Sequence, residues 1–571
     1  MRYLIKKIYL ILCFLLILLN TSSYGKDTKF NYTQNLISNY FSGIISINQD
    51  HTRKGFKYLN KVKSIKNVHN NYNIQYLQTL VLLEKFKEAF SFSEKIWAKD
   101  QLLFEADLLL GIRYLVEEDY KKAEEHFKRL NVNSPSNLYF SDYFENVFIS
   151  WIKAFNNEKE ESFKYFEKIP QRYEKLKLIQ NSFLNCYFET SKTEILFEEI
   201  ISKDDFNFSR YNFFLGNYFL SKKQDVAAKV LFDKSTALYS SNLLIKQSNN
   251  FILNNQSEKI KNFFNCKNPR DVIAEMLYIV ANLYSTQENY KLSNFYLKIS
   301  LFLNSNFVPN KTLLAENLYS QKRYIMSNKV YDSLKTIGPI YSWYASLRSA
   351  MILSNSDGKE RAIKKLKKEL KSIQNPNFEN YYEMANFLKN KESFDESIKY
   401  YSLALKNIKP DHYLVPKILD RRGTSYERIG EWNKAEKDLK KSLKISPDQP
   451  YVLNYLAYSW IDKGINIDES LSMLKKAMKM RQNDGYITDS LGWAYYLNKN
   501  YLEAEKYLQR AVELMPHDPV INDHYADLLW KRNKNIQARY FWKYVLTLKN
   551  VEQELKDKIN KKLIFGIKKN S

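Results

Sequence analysis

The chain has 571 residues, of which 44% are hydrophobic, 26% are charged and 15% are aromatic, a balance compatible with folded structure. Only 13 glycines and 12 prolines occur, which excludes a turn-rich β protein and favours helices joined by short connections. The formal net charge of +25 points to acidic partners, but the lysines are spread along the whole chain rather than gathered in a patch. We therefore predict an all-α fold and no nucleic-acid partner, with peripheral contact to an anionic membrane surface as the remaining use of the charge.

The first predicted element is an N-terminal targeting segment. Residues 1–25 combine a basic start, the apolar run IYLILCFLLILL and small residues near Gly25. The run is shorter than the roughly 20 residues needed to span a bilayer, so the pattern is typical of a secretory signal peptide. We predict cleavage after Gly25, with an uncleaved anchor as the alternative. Cys13 lies inside the apolar run rather than at its end, which does not favour lipidation.

A repeat of about 34 residues follows the targeting segment. Gly43, Leu77 and Gly111 are each 34 residues apart, and a small residue lies twelve positions after each of them. The same pair of positions returns further along the chain and is clearest after residue 420, whereas stretches around 140–200 and 240–270 are degenerate. A fixed spacing of this length predicts stacked helical hairpins.

Small residues recur where the two helices of each hairpin would touch. A glycine or alanine in the first helix and an alanine or serine in the second let the helices approach, and a large residue four positions later fills the adjacent space. Each hairpin then packs on its neighbours, which predicts an open superhelix stabilised by nearest-neighbour contacts. The predicted packing residues are Gly43, Gly111, Ala123, Gly216, Ala228, Ala281, Ala315, Gly423, Ala435, Ala457, Gly492, Ala504, Ala526 and Ala538.

The repeats leave no stretch of domain size for another fold. After the signal peptide we predict an N-terminal array at 26–270, which includes both degenerate stretches, and a C-terminal array at 271–549. A capping helix and tail follow at 550–571. Together these elements predict an all-α solenoid of about 12–15 helix pairs.

The stretch DSLGWAYYLNKNYLEAEKYLQRAVELMPHDP shows which repeat this is. It follows the tetratricopeptide signature at Leu491, Gly492, Tyr495, Ala504, Leu508, Ala511 and Pro516. The chain therefore resembles tetratricopeptide-repeat proteins, and the resemblance implies a right-handed superhelix that binds protein partners along its concave groove. The implied groove positions are Asn454, Tyr458, Asp489, Trp493, Tyr496, Asp523, Asp527 and Trp530. This acidic and aromatic set favours basic partner groups, although Trp493 and Trp530 are equally well explained by packing between repeats.

Two cysteines remain after the signal peptide. Cys186 and Cys266 lie in the apolar and aromatic settings FLNCYF and NFFNC. An exported chain can form disulfides, but residues so far apart in an extended array have no evident reason to meet. We therefore favour two buried free thiols in separate helices, with a disulfide as the alternative.

Histidines and aspartates cluster near the C-terminus. His517 and Asp518 fall in a predicted turn, whereas Asp523 and His524 are neighbours on the next helix and point in different directions. Four side chains so arranged do not converge on a metal ion. The sequence also has no Gly-x-Ser-x-Gly elbow and no phosphate-binding glycine loop. We predict a non-catalytic protein with no metal and no cofactor.

Longer stretches resemble a narrower group of exported proteins. NYLAYSWIDKG, DGYITDSLGWAYY, VELMPHDPVINDH and YFSGIISINQDHTRKGFKYL are similar to large proteobacterial tetratricopeptide proteins, including outer-membrane lipoprotein adaptors of carboxyl-terminal processing proteases. The resemblance implies a periplasmic scaffold or adaptor, associated with the outer membrane, whose partner is an envelope protease or an outer-membrane assembly factor. The alternative is a glycan-contacting factor in polysaccharide export or peptidoglycan assembly. The chain departs from the group in lacking a usable lipidation cysteine.

Overall fold

The computed structural model describes residues 30–49, 51–98, 103–131, 140–202, 209–238, 241–356, 358–549 and 551–567. Within these ranges the chain is helical, contains no strand and divides into two compact units. The first unit ends at Ala345 and the second begins at Ser346, whereas the predicted boundary between arrays lies at residue 270. The predicted signal peptide, residues 1–25, lies outside the described residues.

The first unit consists of helices that follow one another as hairpins. Two short 3₁₀ turns, at Lys63–Asn67 and Gln171–Tyr173, interrupt the series. Its helices are α1 (Gln34–Asn48), α2 (Thr52–Lys61), α3 (Asn70–Leu82), α4 (Phe86–Trp97), α5 (Phe104–Val116), α6 (Tyr120–Phe127), α7 (Ser141–Phe155), α8 (Lys159–Glu167), α9 (Glu174–Tyr187), α10 (Thr193–Ser202), α11 (Tyr211–Ser221), α12 (Asp225–Leu238), α13 (Leu243–Leu253), α14 (Glu258–Lys261), α15 (Pro269–Thr286), α16 (Tyr290–Leu303), α17 (Val308–Ser320) and α18 (Tyr324–Leu334).

The second unit continues the same order of elements after α19 (Pro339–Ser356), the helix in which the division falls. Its helices are α20 (Lys359–Ser372), α21 (Phe378–Asn390), α22 (Phe394–Asn407), α23 (Val415–Arg428), α24 (Trp432–Ile445), α25 (Pro450–Asp462), α26 (Ile467–Met480), α27 (Gly485–Leu497), α28 (Tyr501–Leu514), α29 (Pro519–Lys531), α30 (Asn535–Thr547) and α31 (Gln553–Phe565). In the described residues the first 30 helices make 15 helix–turn–helix pairs, so the prediction of an all-α array of helical hairpins is confirmed. None of these helices combines the length and hydropathy needed to cross a membrane.

The turn inside most hairpins is built in the same way. One residue adopts a left-handed conformation, and the next amide donates to the carbonyl five positions earlier, as in a Schellman cap. In the α5–α6 hairpin, Glu118 has φ of 61° and the Asp119 amide donates to the Tyr114 carbonyl at 2.9 Å. Asn157 and Asn255 have the same conformation, inside the stretches whose sequence pattern is degenerate. Those stretches are therefore hairpins of the same kind.

Small residues hold the two helices of a hairpin close together. A Cβ atom added to Gly492 would lie 2.7 Å from Leu508 Cγ and 2.9 Å from the Leu508 backbone nitrogen, and Gly111 faces the Phe127 ring in the same way. The first-helix members of the predicted packing set lie in odd-numbered helices and the second-helix members in even-numbered ones. All are buried: Gly43, Gly111, Ala123, Gly216, Ala228, Ala281, Ala315, Gly423, Ala435, Ala457, Gly492, Ala504, Ala526 and Ala538.

Replacing Gly492 by Leu is expected to destabilise the C-terminal hairpins by about 1–3 kcal/mol, because the added side chain has no space beside Leu508. Urea unfolding followed by far-ultraviolet circular dichroism measures this loss. The control is Gly492→Leu/Leu508→Ala, which exchanges volume between the two positions and should lose less than the sum of the single variants. A Gly492→Leu chain that unfolds at the same urea concentration as wild type would contradict this packing.

The first unit closes on itself between helices that are far apart in sequence. Phe302 of α16 stacks on Phe86 of α4 with ring centroids 4.3 Å apart, and Lys291 Nζ donates to Gln75 Oε1 of α3 at 2.6 Å, across 216 residues. Tyr296 of α16 also stacks on a phenylalanine of α7. The sequence predicted contacts between neighbouring repeats only. For the first unit that prediction is wrong, because aromatic side chains of α16 pack onto helices of the opening hairpins.

Cys186 and Cys266 form a disulfide, with Cα atoms 6.1 Å apart. Cys186 lies in α9, and Cys266 lies in the turn after the four-residue helix α14. Phe214 of α11 contacts a ring on each side, with centroids 4.9 Å from Phe183 and 4.7 Å from Phe264. The prediction of two buried free thiols is wrong, because α11 packs beside both segments and brings the cysteines together.

Candidate functional site

The predicted groove positions recur at fixed offsets from the buried packing residue of each first helix. Three residues before it, helices α25, α27 and α29 carry Asn454, Asp489 and Asp523, whose side-chain oxygens are able to accept hydrogen bonds. We call these three residues the acceptor row. The positions one and four residues after the packing residue are mostly aromatic. The structure places these groove positions in three different settings.

The first setting is an open cleft of about 510 Å³ in the second unit, which Asn454, Tyr458 and Asp489 help to line. Its wall carries four carboxylates and two cations: Glu427, Asp462, Asp489 and Asp518 against Arg428 and Lys463. The cleft wall is therefore net negative. The chain as a whole is net positive, with 88 Lys and Arg against 63 Asp and Glu. Opposite charge on a partner would be attracted to the cleft.

Two tyrosine hydroxyls of the cleft differ in their hydrogen bonding. The Tyr455 hydroxyl donates to Glu427 Oε2 at 2.7 Å. Burial, reinforced by the Asp489 and Asp462 carboxylates, raises the pKa of Tyr458 to about 12. The Tyr458 hydroxyl is therefore protonated at neutral pH and can both donate and accept.

The second setting is a stack of rings. Trp493 lies between Tyr496 and His524, with ring centroids 4.6 and 4.0 Å away and planes 14° from parallel in both pairs. His524 Nδ1 is 2.9 Å from Asp489 Oδ2. Burial alone would lower the pKa of His524. The surrounding carboxylates, of which Asp489 has the largest effect, outweigh burial, so the pKa is raised overall. The shift favours an imidazolium that donates to Asp489.

The third setting is the C-terminal helix α31. Lys562 Nζ lies 2.8 or 2.9 Å from all four carboxylate oxygens of Asp523 and Asp527. Burial and the Asp523 carboxylate raise the pKa of Asp527 to about 6, against the opposing effect of Lys562. Gly566, which follows α31, packs closely against Trp530, because a Cβ atom added to Gly566 would lie 2.1 Å from the Trp530 ring. Helix α31 therefore occupies the last groove positions.

Sequence reasoning did not identify His524 and Lys562 as the partners of groove carboxylates. Lys562 lies outside the 34-residue period, so no spacing points to it. The available signal was indirect: buried carboxylates need counter-ions, and acidic residues recur at equivalent positions of successive repeats.

Histidine and aspartate at the start of α29 have ordinary structural partners. His517 Nδ1 lies 2.7 Å from the Tyr544 hydroxyl, and Asp518 accepts from the amides of Val520 and Ile521. These contacts fix the turn before the helix. In the part of the chain that the structure describes, no three His, Cys, Asp or Glu side chains are grouped to hold a metal ion.

Family models identify two of the hairpins. Models described as "Tetratricopeptide repeat" match residues 378–410, which include α21 and α22, and residues 489–518, which include most of α27 and α28. The chain contains tetratricopeptide repeats. The second tetratricopeptide match covers Asp489, Trp493 and Tyr496 of the groove positions. These repeats indicate a protein–protein interaction scaffold.

Known proteins match this chain to different extents. The TPR repeat-containing protein PA4667 of Pseudomonas aeruginosa is 26% identical over 193 residues, which are 34% of this chain and 32% of that protein. The chain thus matches about a third of the relative's length. A tetratricopeptide protein from Parabacteroides merdae is 20% identical over 39% of this chain and 88% of its own, with a TM-score of 0.33. A chain of the APC/C hetero-tetramer Cut9–Hcn1 is 12% identical to this chain. The match covers 93% of this chain and 97% of that chain, with a TM-score of 0.36.

Proposed function

We propose that this chain is an exported, non-catalytic scaffold of the bacterial cell envelope that binds protein partners in the cleft of its second unit. The cleft is the observation that carries the proposal: it is open, measures about 510 Å³ and is walled by tyrosines and carboxylates. Tyrosine combines a large contact area with a polar end and is enriched at protein interfaces. The tetratricopeptide repeat at 489–518, which contributes Asp489 and Asp518 to the cleft, is of a kind that binds proteins.

Two features support export. Residues 1–25 have the basic start and short apolar run of a secretory signal peptide. The Cys186–Cys266 disulfide suits an oxidising compartment, because reducing conditions keep most cytosolic thiols free. In this proposal the mature chain works in the periplasm, associated with the outer membrane.

Within the envelope we propose an adaptor role. The chain would hold a protein close to an envelope protease, or to an outer-membrane or cell-wall assembly machine. The support is the resemblance of stretches such as NYLAYSWIDKG and VELMPHDPVINDH to exported tetratricopeptide adaptors. An array of hairpins with an open cleft suits a protein that positions other molecules.

Capture from native envelope extract tests this function. The baits are the mature chain from Lys26 onward, Tyr458→Ala and the matched control Tyr540→Ala. Tyr540 is 67% exposed on α30 and does not line the cleft, so the control removes the same atoms elsewhere. We expect a protein that wild type and control retain and that Tyr458→Ala captures about tenfold less well.

Two outcomes would oppose the proposal. If both variants capture the same proteins in the same amounts, the cleft is not the binding surface. If soluble polysaccharide or peptidoglycan fragments bind, and no protein does, the glycan-contacting alternative replaces the scaffold.

A further inference from the structure

Two members of the acceptor row already hold a cation from the chain itself. Asp523 accepts from Lys562 at 2.8 and 2.9 Å, and Asp489 lies 2.9 Å from His524 Nδ1. The third member differs: Asn454 Oδ1 is buried and has no hydrogen-bond partner in the described part of the chain, and Asn454 lines the cleft. A buried acceptor without a donor is unfavourable, so a donor that enters the cleft would be stabilised there.

The charges around Asn454 favour a cationic donor. Asp462 is exposed at the cleft and forms no ion pair with any described residue, and Glu427 is one-third exposed. The two cations of the wall are exposed: Arg428 is 64% exposed, with Nε 3.8 Å from Glu427 Oε2, and Lys463 lies 5.1 Å above the ring of a tryptophan on α24. A cationic side chain reaching Asn454 would therefore pass Asp462, which is open to it, and the partly exposed carboxylate of Glu427.

Lys562 shows how this groove accepts a lysine. Its Nζ lies between Asp523 and Asp527, which stand one turn apart on α29, and its side chain is only 20% exposed. Asn454 and Tyr458 occupy the same two positions on α25. An amide oxygen and a hydroxyl at that spacing can both accept from one ammonium group.

We propose that the cleft receives a lysine side chain from a protein partner, which donates to Asn454 Oδ1 and pairs with Asp462 and Glu427. This inference rests on the proposed function, because it names the chemistry of the segment that the scaffold binds. The partner segment would imitate the contact that Lys562 makes two hairpins further along the chain.

Two substitutions at Asn454 give opposite expectations in the envelope capture. Asn454→Ala removes the acceptor, and we expect about tenfold less captured partner. Asn454→Asp places a carboxylate in the acceptor row, as at Asp489 and Asp523, and we expect several-fold more captured partner. Melting temperatures of all baits separate a binding change from unfolding. Because a partly unfolded bait can also retain more protein, a gain in Asn454→Asp counts as binding only if that variant melts at the wild-type temperature.

A zero-length carbodiimide identifies the contact directly. The reagent joins a carboxylate to an amine only where the two are in contact, and mass spectrometry locates the amide. We expect wild type to be cross-linked from Asp462 or Glu427 to a lysine of the captured protein. The Lys562 contact with Asp523 or Asp527 provides the positive control within the same chain.

The outcomes separate this inference from the function on which it rests. A protein whose capture depends on Tyr458, but which binds Asn454→Ala and Asn454→Asp equally and yields no cross-link from the cleft, overturns the lysine contact and leaves the scaffold in place. Absence of any Tyr458-dependent protein overturns both. Cross-links to a partner arginine cannot form, so an Asn454-dependent partner without a cross-linked lysine also contradicts the lysine assignment.

Discussion

Replacing Arg210 by Met is expected to destabilise the first unit by about 3–5 kcal/mol at about pH 8. Arg210 binds Glu275 of α15 with two contacts, of 2.7 and 3.1 Å, and its guanidinium lies 4.3 Å from the ring centroid of Tyr278. The Glu275 side chain is 0% exposed. Methionine fills much of the same volume but leaves this carboxylate buried without a counter-ion, which is the costly part of breaking such a pair.

The stability lost in Arg210→Met should decrease as the pH falls. Burial raises the pKa of Glu275 from 4.5 to about 7, against the opposing effect of Arg210, and without Arg210 the pKa rises further. A carboxyl group whose pKa is higher in the folded than in the unfolded state contributes to the free energy of unfolding. This contribution is complete at pH values below the pKa of the unfolded state. That contribution is lost as the pH rises through the folded pKa. Because the pKa of Glu275 in wild type lies only about one unit below pH 8, the loss in Arg210→Met should be about 1.4 kcal/mol smaller at about pH 5 than at about pH 8.

Urea unfolding at the two pH values measures this dependence, and hydrogen exchange in α15 assigns it to the first unit. The control is Arg210→Met/Glu275→Gln, which removes both charges and should recover most of the loss. Equal destabilisation of the single and double variants at both pH values would show that packing around Arg210, rather than the charge pair, sets the effect.

The hairpins were predictable from sequence because their packing is local. Gly423, Ala457, Gly492 and Ala526 recur every 34 or 35 residues, and Gly492 meets Leu508 only 16 residues later. Glu, Lys and Asn adopt the left-handed turn conformation in most hairpins, so the turns leave little signal in the sequence.

Contacts between distant hairpins were not predictable in this way. Phe86 and Phe302 look like ordinary packing residues, and nothing in a 34-residue period indicates that they stack on each other. The same holds for the acidic groove positions: their recurrence predicted a groove, whereas Lys562 of α31 fills its last part. Periodicity specifies neighbours along the array, and it carries no information about which later element returns to contact them.

Removing the disulfide with Cys186→Ser/Cys266→Ser is expected to cost about 2–5 kcal/mol. The bond joins residues 80 positions apart, so its loss releases a long stretch of chain in the unfolded state. Locally, α14 has four residues and offers little surface for packing. We therefore expect hydrogen exchange to accelerate first in α13 and α14, with a lower melting temperature for the first unit.

Reduction of the wild-type disulfide by dithiothreitol should reproduce the double variant, because both open the same link. Amides of α29 and α30, in the second unit, provide the reference within each sample and should keep their exchange rates. The competing cause is the aromatic cluster of Phe183, Phe214 and Phe264 around the bond. If α13 and α14 exchange equally fast with and without the disulfide, this cluster holds the segment alone and the expected destabilisation is refuted; faster exchange assigns the stability to the covalent link.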